Sequence, residues 1–253
     1  MAVGAGLAFT FGNLAQDEGA VLAEWAFDQG WESAIVVPDN LLAYFQDVCN
    51  AFTTRWEELG GTVVGTEGFA SFDGSVNNIP TAIGSAGDAD VIALCTFPPD
   101  IGSAVGGIRD LGNDTPIVSP WSGDGTFWSP EDLSGFTFST FASVFGDDPS
   151  PEVQALIEEM TARYSAPATG GFVTGSAMIQ AIVSAVEATG GTDGAGLAEY
   201  LEGLSGLETL SGNINFSPDL HTVFGREYRI MTFEDGTPKF QELRAATSPA
   251  GIG

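Results

Sequence analysis

Apolar and polar positions alternate with two periods along the first half of the chain. Residues Gln16 to Gln29 place Val21, Leu22, Trp25 and Ala26 on one face, which predicts an amphipathic helix. Ser33 to Val37 (SAIVV) is a short apolar run and predicts a buried strand. From Leu41 to Leu59, the residues Tyr44/Phe45, Val48, Phe52, Trp56 and Leu59 recur at helical spacing. Gly60-Gly61 follows, where a glycine commonly ends a helix. Thr62 to Thr66 predicts a second strand, and a weaker helical pattern lies around Val76 to Ser85. Val91 to Cys95 is apolar at every position, as expected of a central strand covered on both faces. Ile101, Ala104, Val105, Ile108 and Leu111 mark another helix, and Pro116 to Ser119 another strand. Strand and helix in strict turn predict βαβ units and a doubly wound, mainly parallel α/β sheet.

After Phe136 to Phe141 the pattern changes. The stretch Gly146-Asp-Asp-Pro-Ser-Pro151 punctuates the chain, and three helices are predicted beyond it: Glu152 to Tyr164, Phe172 to Thr189 and Leu197 to Leu204. Tyr228 to Phe233, the turn Glu234-Asp235-Gly236 and Pro238 to Leu243 predict a hairpin. The most apolar window, Phe172 to Val186, is broken by Thr174, Ser176, Gln180 and Ser184. It reads as a buried helix of a soluble fold rather than a membrane span. The opening MAVGAGLAFTFGN has no positive n-region, so no signal peptide is expected in this stretch.

Of the 253 residues, 43% are hydrophobic, enough for a core and too many for a disordered chain. This length allows one domain or two lobes. The 34 acidic residues against 7 basic ones give a net charge of −27. The basic residues are Lys239 and six scattered arginines, which excludes a phosphate-neutralising nucleic-acid surface and disfavours an anionic membrane. Hydrated carboxylates on this scale suit either a high-salt setting or an acidic extracytoplasmic protein.

Catalytic chemistry is sparse. The one histidine, His221, sits in the turn-like Pro218-Asp-Leu-His, and no nucleophile elbow, phosphate loop or glycine-rich dinucleotide fingerprint occurs. Cys49 and Cys95 form neither a disulfide framework nor a metal cluster and read as two buried free thiols. Asp88-Ala-Asp90 reads as an exposed turn rather than half of a calcium loop. Carboxylate pairs are everywhere, which deprives any single pair of meaning. The chain is therefore expected to be no enzyme and to need no cofactor or metal.

In open parallel sheets ligands bind beyond the carboxyl ends of the strands. Three predicted strands end in notable loops: Pro38-Asp-Asn-Leu-Leu-Ala-Tyr44, Phe97-Pro-Pro-Asp100, and Trp121-Ser-Gly-Asp124-Gly-Thr-Phe127. Together they offer aromatic and acidic groups with no basic residue, a surface suited to an apolar ligand that carries a cation.

The order and wording of these stretches resemble the leucine-binding-like solute-binding proteins of the type 1 periplasmic-binding fold. The stretches that carry the resemblance are Gln16-Asp-Glu-Gly-Ala-Val-Leu-Ala-Glu-Trp25, Pro38-Asp-Asn40, Tyr44 eight residues before Phe52, and Trp56-Glu-Glu-Leu-Gly-Gly61. Asp90-Val-Ile-Ala-Leu94, Phe97-Pro-Pro-Asp100, Gly123-Asp-Gly125, Ser150-Pro-Glu152 and Ser211-Gly-Asn-Ile-Asn-Phe216 continue the series. The resemblance implies a two-lobed architecture of doubly wound parallel sheets. Residues 15–142 and 222–253 would form the second lobe and 143–221 a remnant of the first. Residues 1–14 would belong to the first inter-lobe crossover. It also implies roughly 100 further residues, about three βα units, at the front of the family's architecture. On that reading the first lobe of this chain is incomplete.

The implied function is extracytoplasmic capture of a small amino-acid-like ligand for an ABC importer's permease subunits, with the membrane met only indirectly. A ligand-sensing module of the same fold, for amides or amino acids, is the alternative, and a carboxylate-based hydrolase is a third. Asp124 matches the family's acidic position for an α-ammonium group, although Asp-Gly is also an ordinary turn. Tyr44 matches an aromatic after the strand, with core packing as the competing role. Phe97 matches an apolar wall, and Phe172 an aromatic reaching in from the first lobe or a plain core residue. Phe45 and Asp47 crowd the loop at Tyr44. A segment about two residues longer than usual adds Trp121 to the pocket mouth and argues against the family's usual branched-chain ligand.

Overall fold

The structure is a computed structural model that describes residues 6–12, 14–129 and 133–248. Its centre is a seven-stranded sheet. The front half of the chain supplies α1 (Ala15–Asp28), β1 (Ser33–Pro38), α2 (Ala43–Glu58), β2 (Thr62–Thr66), α3 (Ile79–Ala86), β3 (Val91–Cys95), α4 (Asp100–Asp110), β4 (Ile117–Ser119) and β5 (Phe136–Thr140). The helices α5 (Pro151–Arg163), α6 (Val173–Thr189) and α7 (Gly194–Glu202) follow, then the short strands β6 (Leu207–Thr209) and β7 (Gly212–Ile214). The chain returns to the sheet with β8 (Tyr228–Glu234) and β9 (Thr237–Arg244), giving the order β2-β1-β3-β4-β5-β8-β9. The five strands up to β5 pair in parallel, and β8 and β9 add antiparallel at the edge. The predicted hairpin is thus part of the same sheet. The small antiparallel pair β6–β7 was not expected from the sequence, because its strands are three residues each and carry little apolar alternation.

The strands send alternate residues to two different cores, as their period of two requires. Ala34, Val36, Val91, Ala93, Cys95 and Val118 meet α1 and α2 through Val21, Trp25, Val48, Phe52 and Trp56. Ile35, Val37, Ile92, Leu94 and Ile117 meet α3 and α4 through Ile79, Ile83, Ile101, Val105 and Ile108. A third, smaller core joins Ala181 and Ala185 of α6 to Leu201, Leu204, Ile214, Phe216 and Val223.

Two expectations are corrected here. Cys49 and Cys95 are not free thiols but a disulfide, with Cα atoms 6.0 Å apart across a separation of 46 residues. Helix α2 packs over β3, and that packing, which cysteine spacing does not reveal, brings the sulfurs together. The second correction concerns α6, which is not a buried helix. Only Val173, Ala177, Ala181 and Ala185 are buried, a stripe of mostly small residues, while Met178, Ile179, Ile182 and Val183 face outward. By length and composition alone, Gly170–Thr189 is apolar enough to span a membrane.

Three chain crossings run side by side between the sheet and the helical part. Thr10 bridges to Thr222, with Thr10 N–H donating to the His221 carbonyl at 2.7 Å. The Arg226 guanidinium donates to the carbonyls of Phe11 (2.9 Å) and Gly12 (2.5 Å) and lies 4.6 Å from the Phe141 ring centroid. His221 is a structural residue. It stacks on Phe9 at 4.2 Å, and its ring nitrogens meet the Ala8 carbonyl and Glu202, each at 3.1 Å.

Candidate functional site: the loops beyond β1, β3 and β4

The three strand-end loops are tied to one another. Thr96, just past β3, donates its hydroxyl to Asp39 just past β1 (2.9 Å), and its carbonyl accepts the Ser122 hydroxyl of the loop after β4 (2.5 Å). Asp39 is fully buried and also accepts the Ser71 hydroxyl (2.5 Å) and the Leu41 and Ser71 N–H groups (2.9 and 3.1 Å). A carboxylate with this many donors fixes the path of the loop that delivers Tyr44.

Asp124 caps the short 3-10 turn Trp121–Gly123. It is 2% exposed, so it is no ordinary surface turn. Its Oδ2 accepts the Thr140 hydroxyl at 2.7 Å and the Gly170 N–H at 2.6 Å. Its Oδ1 is buried with no hydrogen-bond partner among the described residues. Burial pushes the Asp124 carboxyl up to about 6, against the hydrogen bonds from Thr140 and Gly170, which favour the ionised form. Only glycine fits at position 170, since a Cβ there would lie 1.9 Å from the Ala142 carbonyl oxygen. Next to it, the ring of Trp121 covers Gly171, where a Cβ would meet it at 2.6 Å, and the indole N–H of Trp121 is buried without a partner among the described residues.

Tyr44 and Trp121 meet on one carboxylate, Glu18 of α1, through the Tyr44 hydroxyl (2.5 Å) and the Trp121 backbone N–H (2.6 Å). Phe97 stacks on Phe45 with centroids 5.4 Å apart and planes 7° from parallel, and Phe45 in turn packs on Tyr44 at 5.1 Å. Phe172 is half-buried at the end of a 3-10 turn (Gly170–Phe172), just before α6 rather than as its first residue, and packs against the α1/α2 core. Asp124, Trp121 and the 170–172 segment thus form one group, and Tyr44, Phe45 and Phe97 a second, with Glu18 between them.

Four contributors were missed from the sequence. Glu18 falls four residues before Leu22 and seven before Trp25, a carboxylate inside an apolar stripe, and that placement was its signal. Gly170-Gly171 before an apolar helix was a second signal. Thr140 gave none. Phe72 sits in the turn tetrad Ser71-Phe-Asp-Gly74 with a left-handed φ of 69°, is 69% exposed, and meets Phe97 edge-on at 5.6 Å. A bulky residue in that conformation is held there by its surroundings, here by its N–H bond to Asp100 at 3.0 Å.

Comparison with known proteins fits this architecture. Residues 3–238 match the family model described as periplasmic binding protein. A leucine-binding protein LivK from Thermotoga maritima superposes with TM-score 0.77 at 21% identity, over 89% of this chain and 64% of that one. The branched-chain amino acid transporter substrate-binding protein LivJ from Streptococcus pneumoniae, solved with isoleucine, gives TM-score 0.77 at 18% identity, over 91% of this chain and 65% of that one. A solute-binding protein of an ABC transporter from R. palustris, solved with benzoate, gives 0.75 at 18% identity, over 92% and 63%. This chain therefore spans about two thirds of the length of these structures. No curated relative matches. With residues 3–238 inside the family model, and with a mostly parallel sheet of the same fold, the chain belongs to the periplasmic binding protein family.

Proposed function

We propose that the chain is a non-catalytic, extracytoplasmic solute-binding protein that holds a small amino-acid-like ligand for an ABC importer. The observation that carries this reading is the buried Oδ1 of Asp124 together with the buried indole N–H of Trp121, neither with a partner among the described residues. One supplies an acceptor with negative charge, the other a neutral donor. A zwitterion's ammonium answers the first, and an acceptor on the same ligand answers the second. A bare aromatic acid lacks the ammonium and would be repelled by ionised Asp124, which favours amino acids over ligands of the benzoate kind. The aromatic row Tyr44, Phe45, Phe97 and Phe72 suits an apolar side chain.

In this reading residues 15–142 and 222–253 form the lobe that carries the sheet. Residues 143–221 belong to the opposing lobe, and hinge closure at the three crossings completes the site. The Cys49–Cys95 disulfide supports an oxidising compartment outside the cytoplasm. A thermal-shift screen of amino acids, amides and benzoate tests the assignment, because a ligand of the native state raises the melting temperature by mass action. The expected result is a rise with an apolar amino acid at concentrations of about 10 mM or below, absent in Asp124→Asn. A rise with benzoate alone would contradict it.

A further inference from the structure

Building on that reading, we infer that Glu18 is the positioning residue of the site. Its one carboxylate holds the ligand-facing loops of separate sheet strands in a common register.

Glu18 lies in the first turn of α1 and is 0% exposed. Oε1 accepts the Trp121 N–H (2.6 Å) and the Ser139 hydroxyl (2.7 Å), and Oε2 accepts the Tyr44 hydroxyl (2.5 Å). These donors come from three places far apart in sequence: the start of α2, the loop after β4, and β5. Each is a proposed site residue or its neighbour. Tyr44 donates through its own side chain and Trp121 through its own backbone. Ser139 precedes Thr140, whose hydroxyl holds Asp124. The adjacent Asp17 accepts the Gly225 N–H at 2.6 Å, so the same helical turn also reaches the third crossing.

Carboxylate bonds to buried neutral donors are short and strong, and leaving such donors unpaired costs more than the bond itself contributes. Glu18 also acts on Arg226, whose buried guanidinium is pulled down by desolvation and held up by Tyr228, Glu18 and Asp17. The Glu18 carboxylate meets both groups of the site, Trp121 in one and Tyr44 in the other. A consequence for specificity follows: the Tyr44 hydroxyl is engaged by Glu18, so Tyr44 offers its ring to a ligand and selects an apolar side chain.

The test uses Glu18→Gln, which keeps the acceptor that serves Trp121 and Ser139, and Glu18→Met, which keeps similar bulk and removes both acceptors. Amide hydrogen exchange at Trp121, read on the ligand-free chain, is expected to stay within about threefold of wild type in the Gln variant and to quicken about tenfold or more in the Met variant. Titration with L-leucine should follow the same order, with affinity within about threefold for Gln and about tenfold or more weaker for Met. Unchanged Trp121 exchange in a folded Met variant overturns the inference, as does equal loss in both variants. Should Glu18→Met not fold, Tyr44→Phe removes the hydroxyl that Oε2 holds and keeps the ring, with exchange at the Phe45 amide quickening about threefold or more if the inference holds and unchanged if it does not. If wild type binds no leucine while exchange follows the expected order, the positioning role stands and the ligand reading fails instead.

Discussion

The sheet and the helical part (residues 151–216) handle apolar surface differently. Each central strand has both faces covered, and residues such as Trp56, Ile92, Phe136 and Phe138 have essentially no exposure. In the helical part the core is one-sided. Helix α6 turns its alanine stripe inward and leaves Met178, Ile179, Ile182 and Val183 outside. A cavity of about 280 Å³ between Leu7, Phe9, Phe11, Ile182, Leu197 and Leu201 belongs to the same side. The candidate site draws on both parts, because Asp124 of the sheet loops accepts a hydrogen bond from Gly170 at the foot of α6. The rigid sheet fixes one half of the arrangement, and the half contributed by the helical part rests on a thinner core.

That contrast can be tested, beginning with the largest effect. Phe138→Ala, which empties a fully enclosed site against Phe136 and Phe233, should destabilise by about 3–5 kcal/mol in chemical denaturation. Removing the disulfide with Cys49→Ser should cost about 4 kcal/mol, the chain-entropy value for a loop of its length, and should appear as a lower denaturation midpoint.

The Asp124 carboxyl is raised in the folded state, so the unfolded chain gives up its proton first as pH rises. Between the ordinary carboxylate value and about 6 the native state holds the extra proton, and stability attributable to Asp124 falls across that window, levelling off above it. Asp124→Asn should therefore raise stability at pH 7 to 8 by an amount on the order of 3 kcal/mol or less, seen as a higher melting temperature, with the gain lost below pH 4. A melting temperature that is lower than wild type at neutral pH would show that the ionised carboxylate is better stabilised than its burial suggests. The smallest effect is Ile179→Ser on the open face of α6, where the side chain is 56% exposed. It should change stability by no more than about 0.5 kcal/mol and lower the binding of an apolar dye.

Much of the sheet was legible because burial on both faces leaves an unmistakable apolar run. Val91–Cys95, buried at every position, was predicted to the residue, as was the half-exposed edge strand Thr62–Thr66, and the helix α3 between them to within a turn. The helical part was legible in its periodicity but not in its exposure. An apolar helix with Ala at every fourth position shows the same sequence whether its other face is covered or open. The loops that carry the candidate site residues Asp124, Trp121, Tyr44 and Phe97 were readable as strand ends of a doubly wound sheet, and their ligand role remains the proposal above. The organisation of the candidate site was not, since Glu18 lies 103 residues from Trp121 and 121 from Ser139, and only the packing of α1 on the sheet brings them together. The disulfide was hidden for the same reason: its two cysteines lie in different elements and meet only in the folded chain.

The most direct test of the ligand assignment is calorimetric titration of L-leucine near pH 6 in two buffers of different ionisation enthalpy. The raised Asp124 carboxyl holds part of its proton there, and an ammonium group seated on Oδ1 should expel it. The predicted result is net proton release on leucine binding, lost together with most of the affinity in Asp124→Asn. Leucine binding that is as tight in Asp124→Asn as in wild type, with no proton released, would contradict the placement of the ligand's ammonium on Asp124.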